Sequence, residues 1–129
     1  MVTKTLYRPV GYKEYKLIAE TDFQAFPPRL DWQPIFYPVL NRAYAIEIAS
    51  KWNTKDTASD FVGIVTAFDV DDAYLSQFEP KTVGNGTHQE LWIPAEKLAT
   101  FNQKIAGAIR IVDVFYGDKY AGEKIETTA

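Results

Sequence analysis

A run in the middle of the chain is apolar on both faces, and it constrains the fold more than any other feature. Within residues 61–70 only Thr66 and Asp69 interrupt the apolar pattern. A half-exposed strand alternates apolar and polar residues, whereas a strand covered on both faces reads as a nearly continuous apolar run. The run therefore predicts a central strand with packed layers on both sides.

Helical and extended segments alternate irregularly around this strand. Pro27, Pro28 and Pro34 exclude regular helix and central strand from residues 22–34, and loops of that length are often functional. The order of elements predicts an α+β domain with a mixed or mainly antiparallel sheet and flanking helices. The other predicted elements are strands at 4–8, 35–40, 79–83, 88–93 and 109–116, helices at 11–20, 42–52 and 94–106, and a helical turn at 71–78.

Apolar spacing within these elements predicts the core. In the second helix, apolar residues recur at spacings of three and four, which predicts that one helix face is buried. Asn41 is the expected N-cap of this helix. We expect Pro9 to stop the first strand and Gly107 to end the last helix. The expected core residues are Ile48, Trp52, Leu91, Ile93, Leu98, Phe101 and Val112.

Composition excludes several classes of function. The 129 residues fit one domain, which we place at residues 1–117, followed by a loose polar tail at residues 118–129. The net charge is -3 and the basic residues are scattered, so no nucleic-acid partner is expected. Without cysteine, and with His88 as the single histidine, disulfide, thiolate and multi-histidine metal chemistry is excluded. No segment has the apolar length of a signal peptide or membrane span, so we expect no membrane partner and a cytoplasmic location.

The segment around Glu90 presents a carboxylate on a short strand. Alternation places His88, Glu90 and Trp92 on one face and Gln89, Leu91 and Ile93 on the other. A carboxylate that enters an apolar strand after a glycine-rich loop is a common way to present a catalytic group. In a cleft it serves as acid or base, or stabilises a cationic transition state. The alternative is a solvated edge-strand glutamate beside a surface histidine.

Two further features could hold a ligand. Arg8, at the end of the first strand, carries a planar fork that clamps phosphate; the alternative is an exposed strand-end cation. Arg29, Phe36 and Tyr37 lie beside rigid prolines and could form a wall against which a planar ring stacks. The alternative for these side chains is packing of the long loop onto the core.

The order of these features resembles the ADP-ribosyltransferase family. That family has a first strand with Arg or His, a helix, a short strand leading into an alanine-rich helix, and a late strand bearing the catalytic Glu. Here those places are taken by Leu-Tyr-Arg at 6–8, Ile-Phe-Tyr at 35–37 before Ala-Tyr-Ala-Ile at 43–46, and Gln-Glu-Leu-Trp-Ile at 89–93. More closely, the chain resembles small bacterial proteins labelled ADP-ribosylation/crystallin J1, through Tyr-Arg-Pro-Val-Gly at 7–11, Phe-Pro-Pro-Arg at 26–29, Gln-Pro-Ile-Phe-Tyr-Pro-Val-Leu-Asn at 33–41 and Trp-Ile-Pro-Ala-Glu at 92–96.

The resemblance implies an ADP-ribosyltransferase-like domain that binds NAD, a nucleotide, as its substrate in a cleft. Glu90 would be the catalytic residue, orienting the ribose hydroxyl and stabilising the oxocarbenium-like state. Arg8 would contact NAD, and Phe36 or Tyr37 would flank the nicotinamide. ADP-ribose would then pass to an acceptor such as a protein, without a metal. The implied cofactor-binding residues are Arg8, Arg29, Phe36, Tyr37 and His88.

Two hypotheses stay open at this point. The first is an enzyme of this kind, and it predicts that Arg8 and Glu90 lie on neighbouring central strands and face one cleft. The second is a non-catalytic ligand- or protein-binding module on the same fold. The missing Ser-Thr-Ser motif, near whose place only Thr66 stands, favours the second hypothesis. The ordered set of Arg8, Phe36 and Glu90 favours the first, which we prefer for the fold and the pocket. Pro34 also replaces the usual glycine of the family, so close approach of the backbone to a ligand is less easy.

Overall fold

The computed structural model describes residues 2–84 and 88–128. Long strands from both ends of the chain flank a long central strand, and short elements surround them. The strands are β1 (Thr3–Val10), β2 (Ile35–Phe36), β3 (Val62–Asp71), β4 (Lys81–Thr82), β5 (Gln89–Glu90), β6 (Ile93–Pro94) and β7 (Ile105–Tyr116). The helices are α1 (Tyr12–Glu20), α2 (Arg42–Lys51), α3 (Asp72–Leu75) and α4 (Leu98–Gln103), with single 3-10 turns at Asn53–Lys55, Thr57–Ser59 and Ala95–Lys97.

The sheet is antiparallel, and β3 is the middle one of its three long strands, as the apolar run predicts. β3 pairs with β1 on one side and with β7 on the other. Val39 then extends the sheet beyond β1, because it exchanges two backbone hydrogen bonds with Tyr7 at 3.0 and 2.7 Å. The same segment bonds to β5 through Leu40 N to Gln89 O and Leu91 N to Pro38 O. The spatial order is therefore β7, β3, β1, the segment around Val39, β5 and β4.

Each face of the sheet has its own apolar cluster. One face packs against α1, α3 and α4, and its fully buried side chains include Leu6, Ile18, Phe36, Ile64, Phe68 and Phe101. The other face packs against α2 through Val39, Ala45, Ala49 and Val65. Contact on that side is close at Gly63, where an added Cβ would lie 2.2 Å from the carbonyl oxygen of Ala49. The chain is thus a single small α+β domain with helices on both faces of an antiparallel sheet.

Two expected breaks do not end their elements. β1 continues through Pro9. The backbone nitrogen of Pro9 lies on the same side of β1 as the Tyr7 N–H, which faces the segment around Val39 and not β3. The missing N–H of Pro9 therefore removes no hydrogen bond to β3. α4 ends at Gln103 instead of at Gly107, which lies inside β7 with φ +78°. Only glycine adopts that conformation without steric cost.

Four of the expected core residues are buried, namely Leu91, Ile93, Leu98 and Phe101. Ile48 and Val112 are half-buried. The expectation for Trp52 is wrong, because this residue is 69% exposed at the end of α2, where the helix passes into a 3-10 turn. Among the described residues, no helix combines the length and apolarity needed to cross a bilayer.

The C-terminal segment is not the loose tail that its polar composition predicts. Ile125 is buried against the core with 6% exposure, and its N–H donates to the Tyr116 hydroxyl at 2.7 Å. Thr128 lies along β7, since its N–H donates to the Ile111 carbonyl at 2.8 Å and its hydroxyl accepts from the Ile111 N–H at 3.0 Å. One apolar residue and a few backbone bonds therefore order this segment.

Candidate functional site

Arg8 is fixed at the end of β1 by a carboxylate, a ring and a carbonyl. Its Nε and Nη2 donate to the two carboxylate oxygens of Glu14 on α1, at 2.7 and 3.0 Å. The guanidinium carbon lies 4.7 Å from the centroid of the Phe36 ring, and Nη1 is 3.4 Å from the Tyr37 carbonyl oxygen. With its side chain 12% exposed, Arg8 is a held and neutralised cation at the rim of a cleft.

Arg29 brings a second guanidinium to the same place without a carboxylate of its own. Its Nε donates to the Ile35 carbonyl at 3.1 Å, and within the described residues it forms no ion pair. Burial lowers the pKa of Arg29, and the positive charge of Arg8 lowers it further, while Glu14 opposes the change. The cleft thus contains the two guanidinium groups of Arg8 and Arg29 but only the carboxylate of Glu14 between them, which leaves excess positive charge.

The cleft itself has a volume of about 620 Å³. Trp32 is among the lining residues and is 76% exposed, so its indole is accessible to a planar ligand. An apolar hollow of about 530 Å³ adjoins it across Leu17, Pro27 and Pro28. The polar and aromatic side chains that line the cleft include Arg8, Lys13, Glu14, Arg29, Trp32, Gln33 and Asn53.

Glu90 lies on the other face of the sheet, so the expectation that Arg8 and Glu90 face one cleft is wrong. The structure pairs Tyr7 with Val39 and Val39 with Glu90. Directly opposed residues of antiparallel strands point to the same face, while successive residues of one strand point to opposite faces. Tyr7, and not Arg8, therefore shares the face of Glu90. If Val39 were paired with Arg8 instead of Tyr7, Arg8 and Glu90 would lie on the same face. No local pattern in the sequence specifies which of the two pairings forms.

Glu90 is held there by two side-chain donors. The indole Nε1 of Trp92 donates to Oε1 at 2.8 Å, and the hydroxyl of Tyr44 donates to Oε2 at 3.2 Å. Burial raises the pKa of Tyr44, and the nearby charge of Glu90 raises it further, so the phenol stays a donor. The ring of His88 stacks on Tyr44 at 4.3 Å, and its Nε2 lies 2.9 Å from Oε2 of Glu47.

Four other residues that the sequence analysis considered for the site do not line the cleft. Phe36 is 1% exposed and packs against Phe26 and Phe101, so it cannot form a wall for a ligand ring. Tyr37 is 39% exposed but turns to the face of Glu90, where it meets Trp92 edge to face at 6.1 Å. Thr66 is buried and donates to the Arg8 carbonyl at 2.8 Å, which is a structural role. His88 also lies on the face of Glu90.

Several residues of both surfaces were missed by the sequence analysis. Glu14 and Trp32 complete the cleft, and Tyr44 and Trp92 hold Glu90. A tryptophan within a proline-rich loop is a sequence signal that could have identified Trp32. Strand alternation had already placed Trp92 on the face of Glu90, whereas Glu14 and Tyr44 depend on tertiary packing and had no signal of their own.

Comparison with known proteins adds no relative: the chain matches no protein-family model, no curated protein and no solved structure.

Proposed function

We propose that the cleft around Arg8 and Arg29 binds a small anionic ligand of the nucleotide class. The observation that carries the proposal is the Arg29 guanidinium, which lies beside Arg8 and forms no ion pair within the described residues. A buried or half-buried charge without a partner is costly, and a phosphate or carboxylate of a ligand would remove that cost. The planar fork of arginine suits such oxyanions.

The aromatic edge of the cleft narrows the ligand class. The open indole of Trp32 can stack on a planar ring such as a nucleobase, while the arginines hold its phosphates. A volume of about 620 Å³ is within the range of small-molecule sites. NAD combines both parts, and it is the nucleotide that the resemblance to ADP-ribosyltransferases implies. An ADP-ribosyltransferase-like fold and cleft are part of this proposal.

Binding is better supported than transfer of ADP-ribose. Transfer would require Glu90 near the bond between ribose and nicotinamide, whereas the cleft with the arginines opens on the other face and holds a different carboxylate, Glu14. We therefore propose a ligand-binding module first. NAD cleavage with transfer to a protein acceptor is the second candidate, and its support is the preorganised carboxylate of Glu90.

Calorimetric titration with NAD, ADP-ribose and ATP tests the proposal. We expect at least one of them to bind, and Arg29→Gln to weaken that binding about tenfold or more, because a charge-assisted contact is lost. Arg42→Gln is the matched control: Arg42 pairs with Asp113 at 2.9 Å and does not line the cleft. Equal affinity of Arg29→Gln and wild type, or no binding of any of the three, would refute the proposal.

Free nicotinamide, measured in the same samples, separates the two candidate functions. NAD binding without release supports the module, whereas release that Glu90→Gln abolishes supports the transferase. Removal of one preorganised electrostatic group typically costs about 10²–10³ in rate. Binding itself should survive Glu90→Gln, since this residue lies outside the cleft.

A further inference from the structure

We propose that Glu90, Trp92 and Tyr37 form a second site, on the face opposite the cleft, that binds an organic cation of the alkylammonium or guanidinium type. Such a group is carried by lysine and arginine side chains of partner proteins and by free amines. The proposal is independent of the anion cleft and stands on a different set of contacts.

The first argument is that Glu90 has a fixed position and no ion-pair partner within the described part of the chain. Each carboxylate oxygen accepts one hydrogen bond from a neutral donor, Trp92 or Tyr44. Within residues 2–84 and 88–128, Glu90 forms no ion pair. A carboxylate oxygen can accept a further bond, so both oxygens can still receive a donor from a cation.

The second argument is the aromatic surface beside this carboxylate. Trp92 is 45% exposed and Tyr37 is 39% exposed, and the two rings meet edge to face. A ring face attracts cations through its quadrupole, most strongly for tryptophan. The combination of ring face and carboxylate recognises a cation and repels an anion, which is the opposite selectivity to that of the Arg29 cleft.

The third argument is that the chain already places an ammonium group there. Lys81 lies directly across from Glu90 in the pairing of β4 with β5. Its Nζ is 5.9 Å from the centroid of the Trp92 ring, and its side chain is 45% exposed. Lys81 ion-pairs with Glu79 at 4.0 Å and not with Glu90. It therefore marks the place of a cation without neutralising the carboxylate, and an external cation would compete with it for the indole.

The test uses Trp92 as the reporter. Substitution of Trp32 and Trp52 by Phe leaves Trp92 as the only tryptophan of the chain. In this background, Trp92 fluorescence and its indole N–H resonance are followed during titration with methylammonium and methylguanidinium chloride at constant ionic strength. We expect a saturable change with at least one of the two, and no change with sodium chloride.

Two variants should move the affinity in opposite directions. Glu90→Gln keeps the side-chain volume and should weaken binding about tenfold or more. Lys81→Met removes the competing ammonium and should tighten binding several-fold. Glu96→Gln, an exposed carboxylate elsewhere, should change neither. Circular dichroism establishes whether each variant is folded. If Glu90→Gln does not fold, the affinity of Lys81→Met for the cation tests the proposal.

A comparison of ligands identifies the source of the cation. Binding of the peptides Gly-Gly-Lys-Gly-Gly or Gly-Gly-Arg-Gly-Gly at least tenfold more tightly than the free cation supports a partner side chain, and equal affinity supports a free amine. A titration without saturation for every cation, or one that neither Glu90→Gln nor Lys81→Met alters, overturns the proposal.

Discussion

Arg29 and Glu90 each carry a charge that is held by neutral groups and forms no ion pair within the described residues. Arg29 donates to a backbone carbonyl, and Glu90 accepts from an indole and a phenol. Arg8, in contrast, is matched by Glu14 in a two-point ion pair. The contrast matters because Arg8 already has its counter-charge, whereas a charged group of a ligand can still form a charge-assisted hydrogen bond with Arg29 or Glu90.

Tyr74 shows the same principle for a neutral group, and it gives a prediction for stability. Its hydroxyl is buried and makes no hydrogen bond within the described residues, and burial raises its pKa. Tyr74→Phe removes a polar atom that pays a desolvation cost without a partner. We expect the free energy of unfolding in urea to stay unchanged or to rise by up to about 1 kcal/mol.

Tyr116→Phe is the matched comparison for Tyr74→Phe. The Tyr116 hydroxyl accepts from the Ile125 N–H at 2.7 Å, so its removal should lower the free energy of unfolding by about 1 kcal/mol. A loss for Tyr74→Phe as large as that for Tyr116→Phe would mean that the Tyr74 hydroxyl has a partner after all.

At the scale of elements, periodicity predicted more than pairing did. The apolar run of β3, the N-cap at Asn41, whose side chain accepts from Tyr44 N at 2.7 Å, and the buried face of the Glu90 segment were readable because each depends on neighbouring residues. The separation of Arg8 from Glu90 was not readable. It depends on which residue of β1 pairs with Val39, and that offset is set by packing across the whole sheet.

Asp69 joins the three long strands and gives a prediction for pH dependence. It lies on β3, accepts from the Thr5 hydroxyl of β1 at 2.6 Å and pairs with Arg110 of β7 at 3.2 Å. The hydrogen bond from Thr5, and then that from Arg110, lower the pKa of Asp69. Because the folded-state pKa lies below its ordinary value of about 4, the ionised group stabilises the fold above that pH, and this contribution is lost as the pH falls through the folded-state pKa.

Asp69→Asn should therefore lower the unfolding temperature at pH 7, by an amount corresponding to about 1 kcal/mol for a partly exposed pair. The difference from wild type should shrink progressively as the pH is lowered below about 4. Thermal unfolding, followed by circular dichroism at several pH values, measures this difference in unfolding temperature between Asp69→Asn and wild type. A difference that is the same at pH 7 and at pH 2.5 would show that the charge of Asp69 has no part in the effect.

At the scale of the whole molecule, the C-terminal segment covers part of the outer edge of the sheet. Thr128 covers the backbone of β7 at Ile111, and Ile125 fills a place in the core. Composition could not predict this docking, because a single isoleucine among polar residues gives no periodic pattern. An uncovered strand edge is a template for pairing with another chain.

Removal of residues 123–129 should destabilise the domain and cause it to associate. Loss of a buried isoleucine side chain typically costs about 2–5 kcal/mol, and the exposed edge of β7 adds a tendency to self-association. Urea unfolding measures the first effect, and light scattering on a size-exclusion column measures the second. Ile125→Ala, which keeps the backbone bonds, should reproduce the first effect and not the second; a truncated chain as stable as wild type would contradict the expected docking.

The close contact at Gly63 has a consequence for the rigidity of the face that carries Glu90. Since no side chain separates β3 from Ala49, helix and sheet meet backbone to backbone, and α2 has little freedom to slide or roll. The same helix carries Tyr44, the donor to Oε2 of Glu90. Folding therefore fixes the orientation of the Tyr44 hydroxyl, and with it that of the Glu90 carboxylate. A cation that binds to Glu90 does not incur the entropy cost of ordering this carboxylate. The absence of a side chain at Gly63 thus helps to position Tyr44, which lies near the other end of α2, and through Tyr44 the carboxylate of Glu90.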